Sequence, residues 1–173
     1  QTPRSPRVDP KTRQFAAAMS EGLRAFEGGD LAAAKGAFER ALSLEPESGD
    51  AADGLARTEL ALRLEGIRQH QARAEALEGE ERWHDAEREY VAALSLDATL
   101  RFAKEGKDRA AARAVLNDQL EYHIAHPGRL SEESVLEDAR GVLATARAIE
   151  PPTARLRSQV ERLQDVIKVA TTP

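Results

Sequence analysis

Three stretches of the chain share one pattern: AAAKGAFERALSLEP at residues 32–46, DAEREYVAALSLD at 85–97 and EDARGVLATARAIEP at 137–151. Aligned without gaps, they place an alanine, a large apolar residue and a second alanine at matching positions: Ala34, Phe38 and Ala41; Ala86, Tyr90 and Ala93; Ala139, Leu143 and Ala146. Steps of four and three residues put such side chains on one face of a helix. The step from Ala34 to Ala86 is 52 residues and the next is 53, so the chain repeats one helical unit.

The first stretch is preceded by a second amphipathic segment. Its apolar side chains recur at three- and four-residue steps: Phe15, Met19, Leu23 and Phe26. Gly28 and Gly29 are predicted to end this helix, and Asp30 to cap the next one. Two helices joined by so short a turn form an antiparallel hairpin.

Long helices are predicted between the hairpins. Residues 50–78 and 99–125 contain no proline, and in the first of them Leu60, Leu64 and Ile67 follow one face. Ser131 is predicted to cap the helix that carries the third stretch. No segment alternates apolar and polar residues as a strand would. The sequence therefore predicts an all-α fold of antiparallel hairpins with about seven helices.

Residues 15–48 resemble a tetratricopeptide repeat, a helical hairpin of about 34 residues. The positions in register are Gly22, Gly29, Leu31, Ala34, Phe38, Ala41 and Pro46. Units at about 67–100 and 119–151 match less fully, because Ala98 replaces a usual proline and Pro127-Gly128 interrupts the third unit. The resemblance implies a domain over 12–173, built as an α-α superhelix with a capping helix at 152–169. The repeat step is longer than the family's by about 18 residues, which would lengthen the linking helices.

The resemblance also implies where a partner would bind. Members of the family usually hold an extended peptide or a helix in a concave groove lined by the first helix of each hairpin. The matching positions are Ala16, Met19, Leu23 and Glu27 in the first unit, and Arg68, Gln71 and Glu75 in the second. Of these, Met19, Glu27, Arg68, Gln71 and Glu75 are the partner-binding candidates. Leu23 is equally suited to the core, and long helices could straighten the array so that no groove forms.

Charge and composition argue against several classes of function. The net charge is −5; residues 1–14 carry +3, which leaves −8 for the rest of the chain. An acidic body disfavours nucleic acid, which needs basic residues gathered on one face. The chain has no cysteine, so disulfides and thiolate metal sites are excluded.

No catalytic, cofactor or metal motif stands out, so no enzyme is predicted. Glycine-rich phosphate loops, GxSxG and HExxH are absent from the sequence. His123 and His126 could share a helix face, but reliable metal-binding motifs supply three or four ligands. Trp83 is interpreted as a core residue, with an exposed recognition aromatic as the alternative.

Residues 1–11 are interpreted as a proline-rich basic linker or disordered arm, with a proline-rich docking peptide as the alternative. Because the chain starts at Gln1, we expect a processed form or part of a longer protein. Its alanine- and arginine-rich usage is typical of bacteria. A basic arm before a soluble domain favours an envelope-anchored protein over a cytoplasmic one. No apolar run of about 18 residues occurs, so this segment is not expected to insert into a membrane.

Two functions from different classes remain open. The first is a non-catalytic scaffold that binds a peptide or helix of another protein. The alternative is a helical spacer or self-association module of a larger protein, which would make the chain a homo-oligomer. An enzyme ranks third, and a nucleic-acid binder ranks fourth.

The repeat register makes a prediction about stability. Ala34→Leu and Ala86→Leu should each overpack a hairpin and lower the free energy of unfolding by roughly 1–3 kcal/mol. Thermal unfolding of the two variants measures this, and unchanged melting temperatures in both would contradict the register.

Overall fold

A computed structural model describes residues 6–173, and all the regular structure in that range is helical. The predicted all-α class with about seven helices is confirmed. The helices are α1 Pro10–Glu27, α2 Leu31–Leu44, α3 Gly49–Gly79, α4 Trp83–Leu96, α5 Arg101–Ala125, α6 Glu133–Arg147 and α7 Ala154–Thr171, with a 3₁₀ turn at Pro127–Ser131. The extra residues of the repeat lie in α3 and α5, which have 31 and 25 residues against 14 in α2 and in α4.

Helix α1 begins at Pro10, inside the stretch interpreted as an arm. Proline suits the first position of a helix, because the amide hydrogen that it lacks would have no partner there. Residues 1–5 lie outside the described part of the chain, and the arm remains a prediction for them.

One predicted cap is confirmed and one is wrong. The Asp30 carboxylate accepts a hydrogen bond of 3.1 Å from the amide of Ala33, as an N-cap should. Ser131 does not cap α6, which begins at Glu133. Its hydroxyl instead donates to the carbonyl of Gly128 at 3.0 Å, so the preceding 3₁₀ turn occupies the side chain.

The chain divides into two compact bodies, and the boundary falls within α3. The N-terminal body ends at Gln69 and the C-terminal body begins at His70. In the N-terminal body, Ala18, Ala41 and Ala51 form a small core from α1, α2 and α3. The C-terminal body has two apolar clusters. One joins the end of α3 to α4 and α5, and the other joins α5, α6 and α7.

The nine repeat positions are all buried, as their spacing along one helix face predicts. The six alanines are 0–1% exposed, and Phe38, Tyr90 and Leu143 are at most 7% exposed. Trp83 is half-buried and packs on the cluster around Tyr90. The Arg113 guanidinium lies 4.5 Å from the centre of its ring, within range of a cation–π contact.

The aromatic rings of the first two hairpins lie against glycine backbone. A Cβ atom added at Gly22 or Gly54 would come within 2.8 or 2.5 Å of the Phe38 ring. One added at Gly106 would come within 2.4 Å of the Tyr90 ring. Gly106 stands 52 residues after Gly54, so the close approach belongs to the repeat. Each ring occupies the space that a side chain would need.

The two hairpin turns have different residues at the same position, where the backbone φ is positive. Gly29 has φ of 81°, and Glu81, its counterpart one repeat later, has φ of 57°. Glycine adopts this backbone region without cost, whereas glutamate is strained there. The Glu81 carboxylate accepts a 2.6 Å hydrogen bond from the hydroxyl of Thr153 and lies 3.8 Å from Arg113. Within the C-terminal body, this side chain links the turn before α4 to α5 and to the start of α7.

The glycine contacts predict opposite effects of one substitution at two sites. Gly54→Ala should lower the free energy of unfolding by roughly 1–3 kcal/mol, because its Cβ would overlap the Phe38 ring. Gly36→Ala, inside α2 with only the end of Arg40 nearby at 3.8 Å, should raise it by about 0.5–1 kcal/mol. Chemical denaturation of both variants measures the difference, and stabilisation by Gly54→Ala would refute this packing.

Candidate functional site

The N-terminal body contains an open groove between α1 and the first half of α3. One wall is formed by Met19, Leu23 and Phe26, whose steps of four and three residues place them on one face of α1. The floor is Phe38, which is only 1% exposed. The cavity has a volume of about 360 Å³.

The groove continues along α3 as a second cavity of about 310 Å³. Phe26 and Arg57 line both cavities, and Leu60, Ala61 and Leu64 complete the second one. Asp50 and Leu64 are 14 residues apart, so the helical wall is roughly 21 Å long. This length is sufficient for an extended peptide of about six residues or for a short helix.

The apolar side chains of the groove are well exposed. Leu23 and Leu64 are each 52% exposed and Leu60 is 46% exposed. Leu60 and Leu64 were predicted to share a face of α3 with Ile67, but only Ile67 is buried. The apolar stripe on α3 therefore has two parts, one inside the core and one along the groove.

Charge is unevenly placed along the groove. Asp50 and Asp53 line its beginning, and Arg57 lies where the two cavities meet. Among residues 6–173, none of these three side chains has a hydrogen bond or an ion pair within 4.0 Å. Along the groove from the start of α3 onward, the lining is first acidic, then apolar with one arginine, and finally only apolar.

The C-terminal body carries the same positions with different chemistry. Gln71, Glu75 and Glu78 stand 52 residues after Met19, Leu23 and Phe26. The Gln71 amide donates to the Glu75 carboxylate at 3.2 Å, so these two side chains bind each other. The face that is apolar on α1 is thus polar at the end of α3.

Internal contacts also occupy the position that corresponds to Arg57. Its counterpart in the repeat, Arg109, donates to Glu78 through Nε at 3.3 Å and Nη2 at 2.9 Å. Nη2 also lies 3.2 Å from the hydroxyl of Tyr90, the counterpart of Phe38. The hydrogen bond to the Glu78 carboxylate raises the pKa of Arg109 above its ordinary value. Leu116, the counterpart of Leu64, is only 5% exposed.

The partner-binding candidates from the sequence are divided between the two bodies. Met19 lines the groove together with Leu23, whereas Glu27 is exposed at the end of α1 and lines neither cavity. Arg68 is exposed and pairs with Glu65 at 3.2 Å. Gln71 and Glu75 are the paired residues of the C-terminal body. Ala16 is exposed on α1 and lines neither cavity.

Sequence reasoning missed most of the groove on α3. Asp50, Asp53, Arg57 and the two exposed leucines were not candidates, because the resemblance pointed to the second half of that helix. One signal was available: Arg57 and Arg109 obey the 52-residue step. A charged residue that recurs at the same position of a repeat is expected to have a binding partner. Within residues 6–173, only Arg109 of the two arginines has such a partner.

The two histidines at the end of α5 each have a partner within the protein. Among residues 6–173, no group of three or more histidine or acidic side chains is arranged to hold an ion. His123 is 3% exposed, and its Nε2 lies 3.0 Å from Asp138. His126 Nδ1 lies 2.8 Å from the carbonyl of Tyr122. The two residues predicted to share a helix face therefore have separate hydrogen-bond partners.

Other depressions lie elsewhere on the described residues. One of them, of about 570 Å³ between α5 and α6, is lined mainly by polar side chains such as Gln119, Glu137 and Asp138. No helix in the described range is both long and apolar enough to cross a membrane.

Comparison with known proteins gives no family: no family model matches the chain, and neither a curated protein nor a solved structure does. The candidate site is therefore defined by the geometry of this chain and by its internal repeat.

The Tyr90 network predicts a dependence on alkaline pH. Burial, and next the Glu78 carboxylate, raise the pKa of Tyr90 above its ordinary value of 10.0. Below that value the Tyr90 hydroxyl is neutral in both the folded and the unfolded chain, and its contribution to the free energy of unfolding is fully present. As the pH rises further, the unfolded chain ionises first, and stability falls until the folded pKa is passed.

Tyr90→Phe should remove this part of the pH dependence. We expect the melting temperature of the natural chain to fall more steeply between about pH 9 and pH 11 than that of the variant. Scanning calorimetry across that range measures both slopes. Equal slopes would show that the Tyr90 hydroxyl does not contribute.

Proposed function

We propose that this chain is a tetratricopeptide-like interaction module that binds a segment of a partner protein in the groove of its N-terminal body, without catalysis. The observation that carries the proposal is the contrast between the two bodies. The same repeat positions form an open apolar groove beside α1 and a set of internally satisfied polar contacts beside α5.

Exposed apolar side chains in a concave surface support binding more than they support stability. Leu23, Leu60 and Leu64 each leave about half of their surface in water. Covering these halves would contribute roughly 1 kcal/mol for each side chain. The cavity volumes lie at the small end of ligand sites, which suits the side chains of a peptide.

The acidic groups of the groove are better suited to binding than to catalysis. Asp50 and Asp53 lie on an exposed helix face. Enzyme active sites usually enclose their substrate away from bulk water, which an exposed helix face does not do. An exposed carboxylate beside apolar side chains favours the attraction of a charged partner.

The proposal predicts that a bulky charge in the groove abolishes partner binding. Leu23→Arg should reduce the recovery of a crosslinked partner from the native host at least tenfold, because it places a cation in the apolar wall. Val91→Arg is the matched control: Val91 is 47% exposed on α4 and lies outside both cavities. Quantitative mass spectrometry of the captured proteins gives the ratio. Equal losses in the two variants, or none in either, would contradict binding in this groove.

A self-associating spacer remains the second candidate, and one observation favours it. The 31-residue helix α3 exposes Leu60 and Leu64 on one face, one helical turn apart. An apolar pair on a long helix can associate with a second copy. Sedimentation of the purified chain at micromolar concentration separates the two candidates. A mass of twice the monomer, lost in Leu60→Lys with Leu64→Lys, would favour the spacer.

A further inference from the structure

We propose that the groove selects a partner segment in which one acidic side chain stands between apolar ones, and that Arg57 binds its carboxylate. This inference rests on the proposed function and gives the chemistry of the partner. It comes from comparing Arg57 with Arg109, the two arginines that occupy one position of the repeat.

The two arginines have matching surroundings on the core side. Each follows a glycine by three residues, and each glycine backbone lies against the aromatic ring of the preceding hairpin. The distances from an added Cβ to those rings, 2.5 Å at Gly54 and 2.4 Å at Gly106, are nearly equal. The repeat therefore presents both guanidinium groups above an equivalent floor.

Arg109 shows what this position binds when the chain supplies the acceptors. Nε and Nη2 donate to the two oxygens of Glu78, which is the forked geometry that suits guanidinium and carboxylate. The Tyr90 hydroxyl accepts a further hydrogen bond from Nη2. The Glu78 side chain is only 18% exposed, so this carboxylate lies inside the protein surface.

Arg57 has neither acceptor, because both counterparts are apolar. Phe26 replaces Glu78, and Phe38 replaces Tyr90 and its hydroxyl. Asp53, one helical turn before Arg57, could form an ion pair with it, yet no pair within 4.0 Å exists among the described residues. An exposed arginine without a partner is common and would not mark a site by itself. This one lines both of the adjoining cavities, in each of them beside Phe26.

The charges along the groove set the order of side chains in the partner. A carboxylate at Arg57 would lie between apolar groups that enter the two cavities. Further acidic residues are disfavoured at the other end, where Asp50 and Asp53 would repel them, and a basic residue is favoured there. From Asp50 toward Leu64, the preferred occupant presents a basic, an apolar, an acidic and an apolar side chain.

A library of random dodecapeptides displayed on phage tests this without knowledge of the natural partner. The purified 173-residue chain is used as bait, beside Arg57→Glu, Leu23→Arg and Arg63→Glu. Arg63 is the matched control, since it is exposed on the same helix and lines neither cavity. Circular dichroism and melting temperatures establish that every variant is folded.

We expect the natural chain and Arg63→Glu to enrich peptides with aspartate or glutamate between apolar residues. Arg57→Glu should replace that acidic preference with lysine or arginine, and Leu23→Arg should enrich nothing. For one selected peptide, exchange of its acidic residue for lysine should weaken binding about tenfold, and Arg57→Glu should restore most of the loss.

The other outcomes separate the two proposals. Enrichment that depends on Leu23 but shows no acidic preference, or the same acidic preference in Arg57→Glu, would overturn the role of Arg57 and leave the groove as a binding site. Enrichment unaffected by Leu23→Arg, or no enrichment by any bait, would overturn both.

Discussion

The Phe38 ring lies where side chains at Gly22 and Gly54 would otherwise be, and the Tyr90 ring lies in the same way against Gly106. Helices can approach more closely where glycines carry no side chain than where side chains separate them, and the aromatic ring fills the space that remains. The repeat alanines about one turn before and after each ring on the same helix are also fully buried, and larger residues there would hold the helices apart. The placement of α1 and α3 on either side of the groove depends on this packing.

One framework carries two different surfaces because the residues that differ lie above the packed layer. Replacing Phe26 by Glu78 and Phe38 by Tyr90 supplies the acceptors that a repeated arginine needs. Hydrogen bonds to ionised groups are stronger than neutral ones, and they are satisfied inside the C-terminal body. In the N-terminal body the same position leaves apolar surface and a guanidinium with no partner among the described residues. The surface proposed to bind a partner thus differs from its counterpart by the loss of an internal contact.

In the turn before α4, local backbone strain accompanies a contact with a residue distant in sequence. A glycine at residue 81 would relieve the backbone, as Gly29 does in the first hairpin. Glutamate is strained there, yet its carboxylate reaches Thr153, 72 residues away in the chain. Thr153 in turn caps α7 by accepting a hydrogen bond from the amide of Leu156 at 3.1 Å. The local strain coincides with a contact that connects the turn to the last helix.

Much of the fold could be predicted because helical hairpins are specified by short-range patterns. Alanines and large apolar residues at steps of three and four, the glycine turn and Asp30 indicated the helix class, the register and the first hairpin. These signals depend on neighbours within a few turns of helix. These signals were less reliable where a side chain can bind to more than one nearby backbone group. Ser131 is an example, because its hydroxyl binds the preceding turn instead of α6.

The candidate site was predicted only in part, for a related reason. Sequence spacing placed Met19 and Leu23 on one face of α1, but it could not show which half of α3 lies beside them. The exposure of Leu60 and Leu64, the pairing of Arg109 and the lack of a pair at Arg57 within residues 6–173 follow from contacts between helices distant in sequence. The sequence by itself therefore determined the helices, their repeat and the buried positions, because these depend on local periodicity. Only the tertiary structure decided which repeat position stays open to a partner, because that depends on whether another helix brings an acceptor within hydrogen-bonding distance.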